Sequence, residues 1–198
     1  MPAIGLKSAM YNQIDPSTKK YKTLTGSAVP KLERIIDEKF SKQVSEADLY
    51  ADDVIAESNS IVAKGTLTVT VADEDDARDA EFLGSTVSSG TGSSGEVTRK
   101  TTDSAPEMGY GHIIPMVYKG TYKYKVEFFP RVKWSDITID RKTKGENLEY
   151  ATPQLTGTVM PLAETINGME AGIWEKHKTF TTESAAVTYL TGLLTPST

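Results

Sequence analysis

The stretch AKGTLTVTVADEDDARDAEFLG (63–84) changes its hydrophobic period once, and that change constrains the fold more than any other feature. Leu67, Val69 and Val71 alternate with Thr66, Thr68 and Thr70, all residues that suit a pleated strand with one buried face. The spacing then becomes helical. Asp73 is placed to cap, Glu74, Asp75 and Asp76 fill a first turn, Ala77, Ala80 and Leu83 follow, and Gly84 ends the helix. The run of acids suggests a metal cluster at first sight. Carboxylates at a helix N-terminus are stabilised without a metal, by about 0.3–1 kcal/mol each. Four consecutive helical residues also point in four directions, so they do not converge on one ion.

The remaining pattern is mostly strands. IGLKSAMYNQI (4–14) sets Ile4, Leu6, Met10 and Ile14 on one side and ends at the turn signal Asp15-Pro16-Ser17. KKYKTLTG adds a short polar strand. GYGHIIPMVY and TYKYKVEFFPRVKW flank Lys119-Gly120 as a hairpin, and Pro130 predicts an edge or a bulge. SDITIDRKT reads as a further strand with Ile137 and Ile139 inward, and EYATPQLTGTVMPL puts Leu155, Gly157 and Val159 on one face. TTESAAVTYLTGLL is an amphipathic C-terminal helix capped by Thr182 or Ser184, with Ala186, Val187, Leu190, Leu193 and Leu194 as its stripe.

One segment gives two answers. In VPKLERIIDEKFSKQVSEADLY, Leu32, Ile35, Ile36, Phe40 and Val44 fall at helical spacing, which slightly favours a helix. A hairpin with strands near 32–40 and 43–50 fits as well. Residues 85–106 hold the one low-complexity stretch, Ser88 to Gly95, whose serines and glycines suit a loop or arm rather than a core. They do not match a phosphate-cradling loop. The fold class expected is therefore mainly β (α+β): an antiparallel β-sandwich or barrel with one packed mid-chain helix and a C-terminal helix. The 198 residues suit one domain, 1–198, with long loops near 41–57 and 85–106.

Catalytic constellations are sparse. The chain has no cysteine and two histidines, His112 and His177, in different predicted elements, so neither a zinc site nor a nucleophile–base triad is expected. Tyr50-Ala51-Asp52-Asp53 matches the turn by which reverse transcriptases present aspartates to two metal ions. That chemistry needs a further acid on a neighbouring strand and a template-sized fold, and this chain is too short for one. Asp136 and Asp140 read as solvated, Trp134 and Trp174 as core anchors before interface anchors. Tyr110, Tyr118, Tyr122 and Tyr124 suggest cross-strand packing before a base-stacking platform. No cofactor is expected. The first fifteen residues lack a basic then apolar leader, and no run is long enough to span a bilayer, so no secretory leader or membrane partner is expected.

The net charge of −5 conceals a polarity. Residues 46–81 carry eleven acids against Lys64 and Arg78, and residues 119–144 carry eight bases against Glu127, Asp136 and Asp140. Opposite patches on one chain suit self-association, though charge runs are commonly solvated faces. An acidic chain does not suit a nucleic-acid ligand.

Six pieces in order resemble the major tail (tail-tube) protein family of long-tailed, siphovirus-like phages. They are IGLKSAMYNQI, LYADDVIAES, GTLTVTVADEDDARDAEFLG, DSAPEMGYGHIIPMVYKGTYKYKV, NLEYATPQLTGTV and GIWEKHKTFTTESAAVTYLTGLL. The Ser/Gly insertion at 88–95 and the long charged stretch 31–47 depart from the family pattern. The resemblance implies a non-catalytic virion protein, made in the host cytoplasm, that self-assembles into hexameric rings stacked as a tube. DNA passes through the lumen without specific binding, and tape-measure, tail-terminator and tail-tip proteins are the implied partners. It also turns 31–50 into a hairpin. It implies that Tyr50, Asp52, Asp53, Glu57, Ser89, Gly92 and Gly95 lie in loops facing the lumen or a neighbouring subunit. The alternatives are another self-assembling tube subunit, of the secretion-system kind, or a metal-dependent enzyme using Asp52 and Asp53.

Overall fold

In the computed structural model, residues 2–24, 28–51, 54–88, 95–141 and 151–197 are described, with side chains omitted for 47–51 and 54–59. The strands are β1 (Lys7–Asp15), β2 (Lys20–Tyr21), β3 (Lys31–Leu32), β4 (Ile35–Ala51), β5 (Val54–Val71), β6 (Thr86–Ser88), β7 (Glu96–Thr98), β8 (Glu107–Tyr118), β9 (Thr121–Thr138), β10 (Gln154–Val159) and β11 (Lys176–Phe180). The helices are α1 (Asp76–Leu83) and α2 (Glu183–Leu194). The fold is mainly β and antiparallel, as the period of the sequence implies.

The main sheet runs β2-β1-β8-β9-β10-β5-β4, with β3 added to β1 and β11 to β9, while β6 and β7 pair by themselves. The sheet curls. Ala9 and Tyr11 of β1, Leu67 and Val69 of β5, Tyr110 of β8, Trp134 of β9 and Leu155 of β10 share one buried cluster, against which Phe40 of β4 packs. A second cluster lies on the opposite face of β1, β8 and β9, where Met10, Ile14, Ile113, Val126 and Phe128 meet Ala186, Leu190 and Leu194 of α2. Each fully buried leucine there contributes roughly 1.5–3 kcal/mol.

This two-sided burial corrects the one-sided pattern expected for β1. Tyr11 packs into one cluster and Met10 into the other, while Ile4 is exposed. Asn12 is buried because its amide is satisfied: Nδ2 donates to the carbonyls of Lys22 at 3.0 Å and Leu194 at 2.9 Å. The strand is thereby tied to the end of α2.

The helix α1 forms where the period changes, but one residue pair differs from expectation. Asp75, not Asp73, is the N-cap, accepting from the backbone N–H groups of Ala77 and Arg78. Asp73 instead pairs with Arg34 at 2.7 Å. The buried face holds Arg78, Asp79, Ala80 and Phe82, not Ala77 and Leu83. Arg78 and Asp79 enter as a pair, Nη2 to Oδ1 2.6 Å, and Phe82 stacks on Trp134 at 5.0 Å and 17°. Gly84 closes the helix at φ 73°, where a Cβ would lie 2.3 Å from the Ser104 carbonyl oxygen.

The β8–β9 hairpin turns at Lys119 (φ 48°) and Gly120 (φ 76°), both left-handed, as a two-residue hairpin turn demands. Opposite Pro130 the register slips between Met108 and Tyr110, which places a bulge there. β9 changes neighbour at the same place, pairing β11 along Tyr124–Phe128 and β10 along Val132–Thr138. Of the separate strand expected at 135–143, residues 135–138 are instead the end of β9, 139–141 are not strand, and 142–143 lie outside the described residues. Ser135 interrupts the pairing of β9 with β10 as a second irregularity, and Gly157 leaves room for Trp134.

Candidate assembly interface

β4 and β5 make a hairpin far longer than the two short strands expected near 32–40 and 43–50. Residues 40–43 (Phe-Ser-Lys-Gln) contain no Gly, Pro, Asn or Asp, and β5 offers a partner along the whole length, so β4 continues through them. The reversal falls between Ala51 and Val54, which pair with each other. The loop expected at 41–57 is therefore strand on both sides of that reversal. The helical spacing of 31–44 has a local cause. Ile36 is an extra residue at a register shift between Ile35 and Asp37, so Ile35 and Phe40 pack inward while Ile36 is exposed.

The body holds only the base of this hairpin. β10 pairs β5 from Gly65 to Thr70 and no further. From Val44↔Val62 outward to Ala51↔Val54, the described backbone pairs strand to strand within the hairpin alone. This outer arm spans about 25 Å at the usual rise of a strand. Val44 and Ile61 are 41% and 63% exposed upon it. A two-stranded ribbon is marginal by itself in water, and both of its edges carry unpaired N–H and C=O groups.

At the root, Phe40 lies 4.9 Å from Phe129 and stacks on Trp174 at 5.8 Å and 19°. Beside it Glu38 Oε2 accepts from the Tyr110 hydroxyl at 2.7 Å, and Oε1 lies 3.1 Å from His112 Nδ1. That approach is off the ring N–H axis, so it is a close polar contact rather than an aligned hydrogen bond. His112 Nε2 lies 3.5 Å from Glu127 Oε2, and Lys125 pairs with the other oxygen of Glu127. Burial pushes the Glu38 carboxyl up from its ordinary value. The hydrogen bond from His112, aided by Lys125, holds Glu127 down at about 2 despite its partial burial. This polar cluster is the feature that sequence reading missed, since His112 was considered there only for a zinc site or a triad.

The structure distributes the expected interface residues unevenly. Tyr50 pairs with Ile55, and Glu57 with Leu49, near the hairpin end. Asp52 and Asp53, and likewise Ser89 and Gly92, lie outside the described residues. Gly95 precedes β7 at φ 110°, where a Cβ would lie 2.7 Å from the Ser88 carbonyl oxygen, so the β6–β7 hairpin requires glycine there. That hairpin corrects the expectation of an uninterrupted loop over 85–106. The hairpin-end residues and Gly95 belong to different hairpins and different sheets.

The four tyrosines separate, with Tyr110 buried and Tyr118 and Tyr122 exposed at the β8–β9 tip. Trp134 is buried and Trp174 half-buried against the same cluster. Asp136 and Asp140 are exposed. The charge polarity is partly spent within the chain, where Arg141 meets Glu74 at 2.6 Å. Among the described residues no group of three or more His, Asp or Glu is placed to hold a metal ion, and no helix is long and apolar enough to cross a membrane. No family model matches the chain, and no curated protein matches it.

Proposed function

We propose that the chain is a structural subunit of a siphovirus-like phage tail tube, self-assembling into stacked hexameric rings through which DNA leaves the capsid. The observation that carries this reading is the outer arm of the β4–β5 hairpin. It pairs only with itself along the described backbone and leaves Val44 and Ile61 in solvent. A neighbouring copy supplies the missing partner by covering those side chains or by adding a strand to a free edge. Contacts of one patch with a different patch repeat without closing, which is how a tube grows. The net charge of −5 suits a conduit, because a negative wall repels phosphates. On this reading the protein is a virion component with no catalytic step and no cofactor. Its partners are its own copies and the tape-measure, terminator and tip proteins of the tail.

The test is negative-stain electron microscopy of the full chain at high concentration beside mass-resolved sizing, repeated for Val44→Asp/Ile61→Asp. Rings or hollow tubes from the wild type, lost in a variant that keeps its fold, are expected. A wild type that stays monomeric throughout, or a variant that assembles equally well, refutes the proposal. Metal-dependent nucleotidyl transfer abolished by Asp52→Asn/Asp53→Asn would refute the non-catalytic reading.

A further inference from the structure

The seam between β4 and β8 is shut by side chains, for these strands are not neighbours in the sheet. Hydrophobic closure comes from Phe40 against Phe129 and Trp174. Among the described residues, polar closure comes from Glu38, which reaches Tyr110 and His112 of β8. Its side chain is 6% exposed and that of His112 3%.

The charges facing Glu38 do not balance unless a proton is counted. β4 itself adds Asp37, a further negative charge. β8 offers a phenol and an imidazole, and β9 offers Glu127 with Lys125, whose ammonium is engaged by Glu127. β11 places His177 opposite Glu127, but that ring is exposed and turns to Glu175 at 3.4 Å. Glu38 therefore has no cation unless the imidazole carries a proton, and a buried carboxylate left alone is strongly unfavourable. The Glu38–His112 pair is neutral with one proton held on either member, and the proton belongs to the pair.

We propose that Glu38 and His112 form a proton-holding clasp, which keeps the β4–β8 seam shut while one proton is bound and lets the hairpin root part from the body when it leaves. Opening admits water to the ionised carboxylate, which the closed seam cannot. The sign follows from burial. The closed form, in which the Glu38 carboxyl is raised, binds the proton more tightly than the opened, solvated form. The clasp's contribution is therefore full at low pH and is lost as pH rises through the pair's titration. Glu127 does not mask this, because with its pKa held at about 2 it stays ionised across the whole range. The clasp concerns the chain's own opening, so its success or failure is independent of whether the protein forms tubes.

Amide hydrogen exchange tests it, read over residues 35–46 from about pH 5 to pH 9, a range that spans the ordinary titration of an imidazole, and corrected for intrinsic rates. Residues 154–159 of β10, paired by β5 and β9 and not by β4, are the internal reference. Protection at the root should fall by up to about tenfold per pH unit through the titration while the reference stays level. Glu38→Gln keeps the acceptor for Tyr110 but cannot titrate, so its profile should be flat. His112→Gln should also be flat, and where it fails to fold Glu38→Gln decides alone. A flat wild-type profile, or a Glu38→Gln profile with the wild-type slope, overturns the proposal.

Discussion

Replacing Gly65 with alanine tests whether the hairpin root is as tightly packed as its geometry implies. Gly65 pairs with Val159 of β10 and Lys42 of β4, at the point where the hairpin leaves the body. A Cβ there would lie 2.4 Å from Phe40 Cε2 and 2.6 Å from Cζ. The ring has little room to yield, because Phe129 and Trp174 flank it. Alanine itself suits the backbone, since φ at Gly65 is not left-handed. In the absence of the ring it would gain about 0.5–1 kcal/mol by restricting the unfolded chain. Displacing the ring opposes this at about 1–3 kcal/mol, the usual penalty for overpacking. The net expectation is a loss of about 0.5–2 kcal/mol. In a chain of this size each kcal/mol lowers Tm by roughly 2–4 °C. Urea and thermal unfolding should be measured for Gly65→Ala, Phe40→Ala and the double variant. Phe40→Ala removes the obstructing ring, so adding Gly65→Ala to it should be neutral or stabilising, with a coupling of about 1–3 kcal/mol. An equal loss from Gly65→Ala in both backgrounds, or a stabilised single variant, would refute the packing argument.

Two further expectations follow from buried polar groups. Glu127→Gln should destabilise the protein near neutral pH, and the difference from wild type should shrink as pH falls. A carboxylate held down at about 2 contributes fully above its unfolded value near 4.3 and loses that contribution as pH drops through 2. Urea midpoints measured from neutral to strongly acidic pH check this, and a constant difference would contradict it. Asn12→Leu leaves the Lys22 and Leu194 carbonyls without their amide donor, at about 1–3 kcal/mol for each carbonyl left dry. Its unfolding should be compared with that of Asn12→Asp, which also strips both donors and adds a buried charge. Asp should be the worse of the two, and the reverse order would show that the donated bonds are not what holds the site.

Elements with an unbroken period were legible, and those with an interrupted one were not. Thr66–Val71 and Gln154–Val159 alternate without a bulge over their shared register, so their buried faces read directly from the letters. Lys119-Gly120 announced its hairpin, and Thr182 its helix. β4 failed because Ile36 is an inserted residue, and one insertion turns a two-residue period into apparent helical spacing. The face of α1 was misread because Arg78 and Asp79 enter the interior as a pair, and letters taken singly place both outside. β11 reads Lys-His-Lys-Thr-Phe and has no apolar alternation; it is a strand because β9, past the Pro130 bulge, has an open edge.

The polar cluster at the hairpin root depends on strand register and on the curl of the sheet. Glu38 faces inward because its register with β5 sets it opposite Val69, and it meets His112 only because the curled sheet brings its last strand back to β8. Neither fact has a local signature, since the partners stand 74 residues apart. A glutamate flanked by Lys39 and Asp37 reads as surface until the strand register is fixed. The same register makes the outer arm lie beyond the reach of β10, leaving Val44 and Ile61 without cover. The inserted Ile36 thus lets Ile35 and Glu38 both face inward from the two sides of one register shift. Deleting Ile36 would exchange the faces of Ile35 and whatever precedes it, while Glu38, Phe40 and the residues beyond keep their pairing with β5. The strain of that exchange falls on the short connection through Arg34, which already holds a left-handed φ of 54° and the ion pair to Asp73.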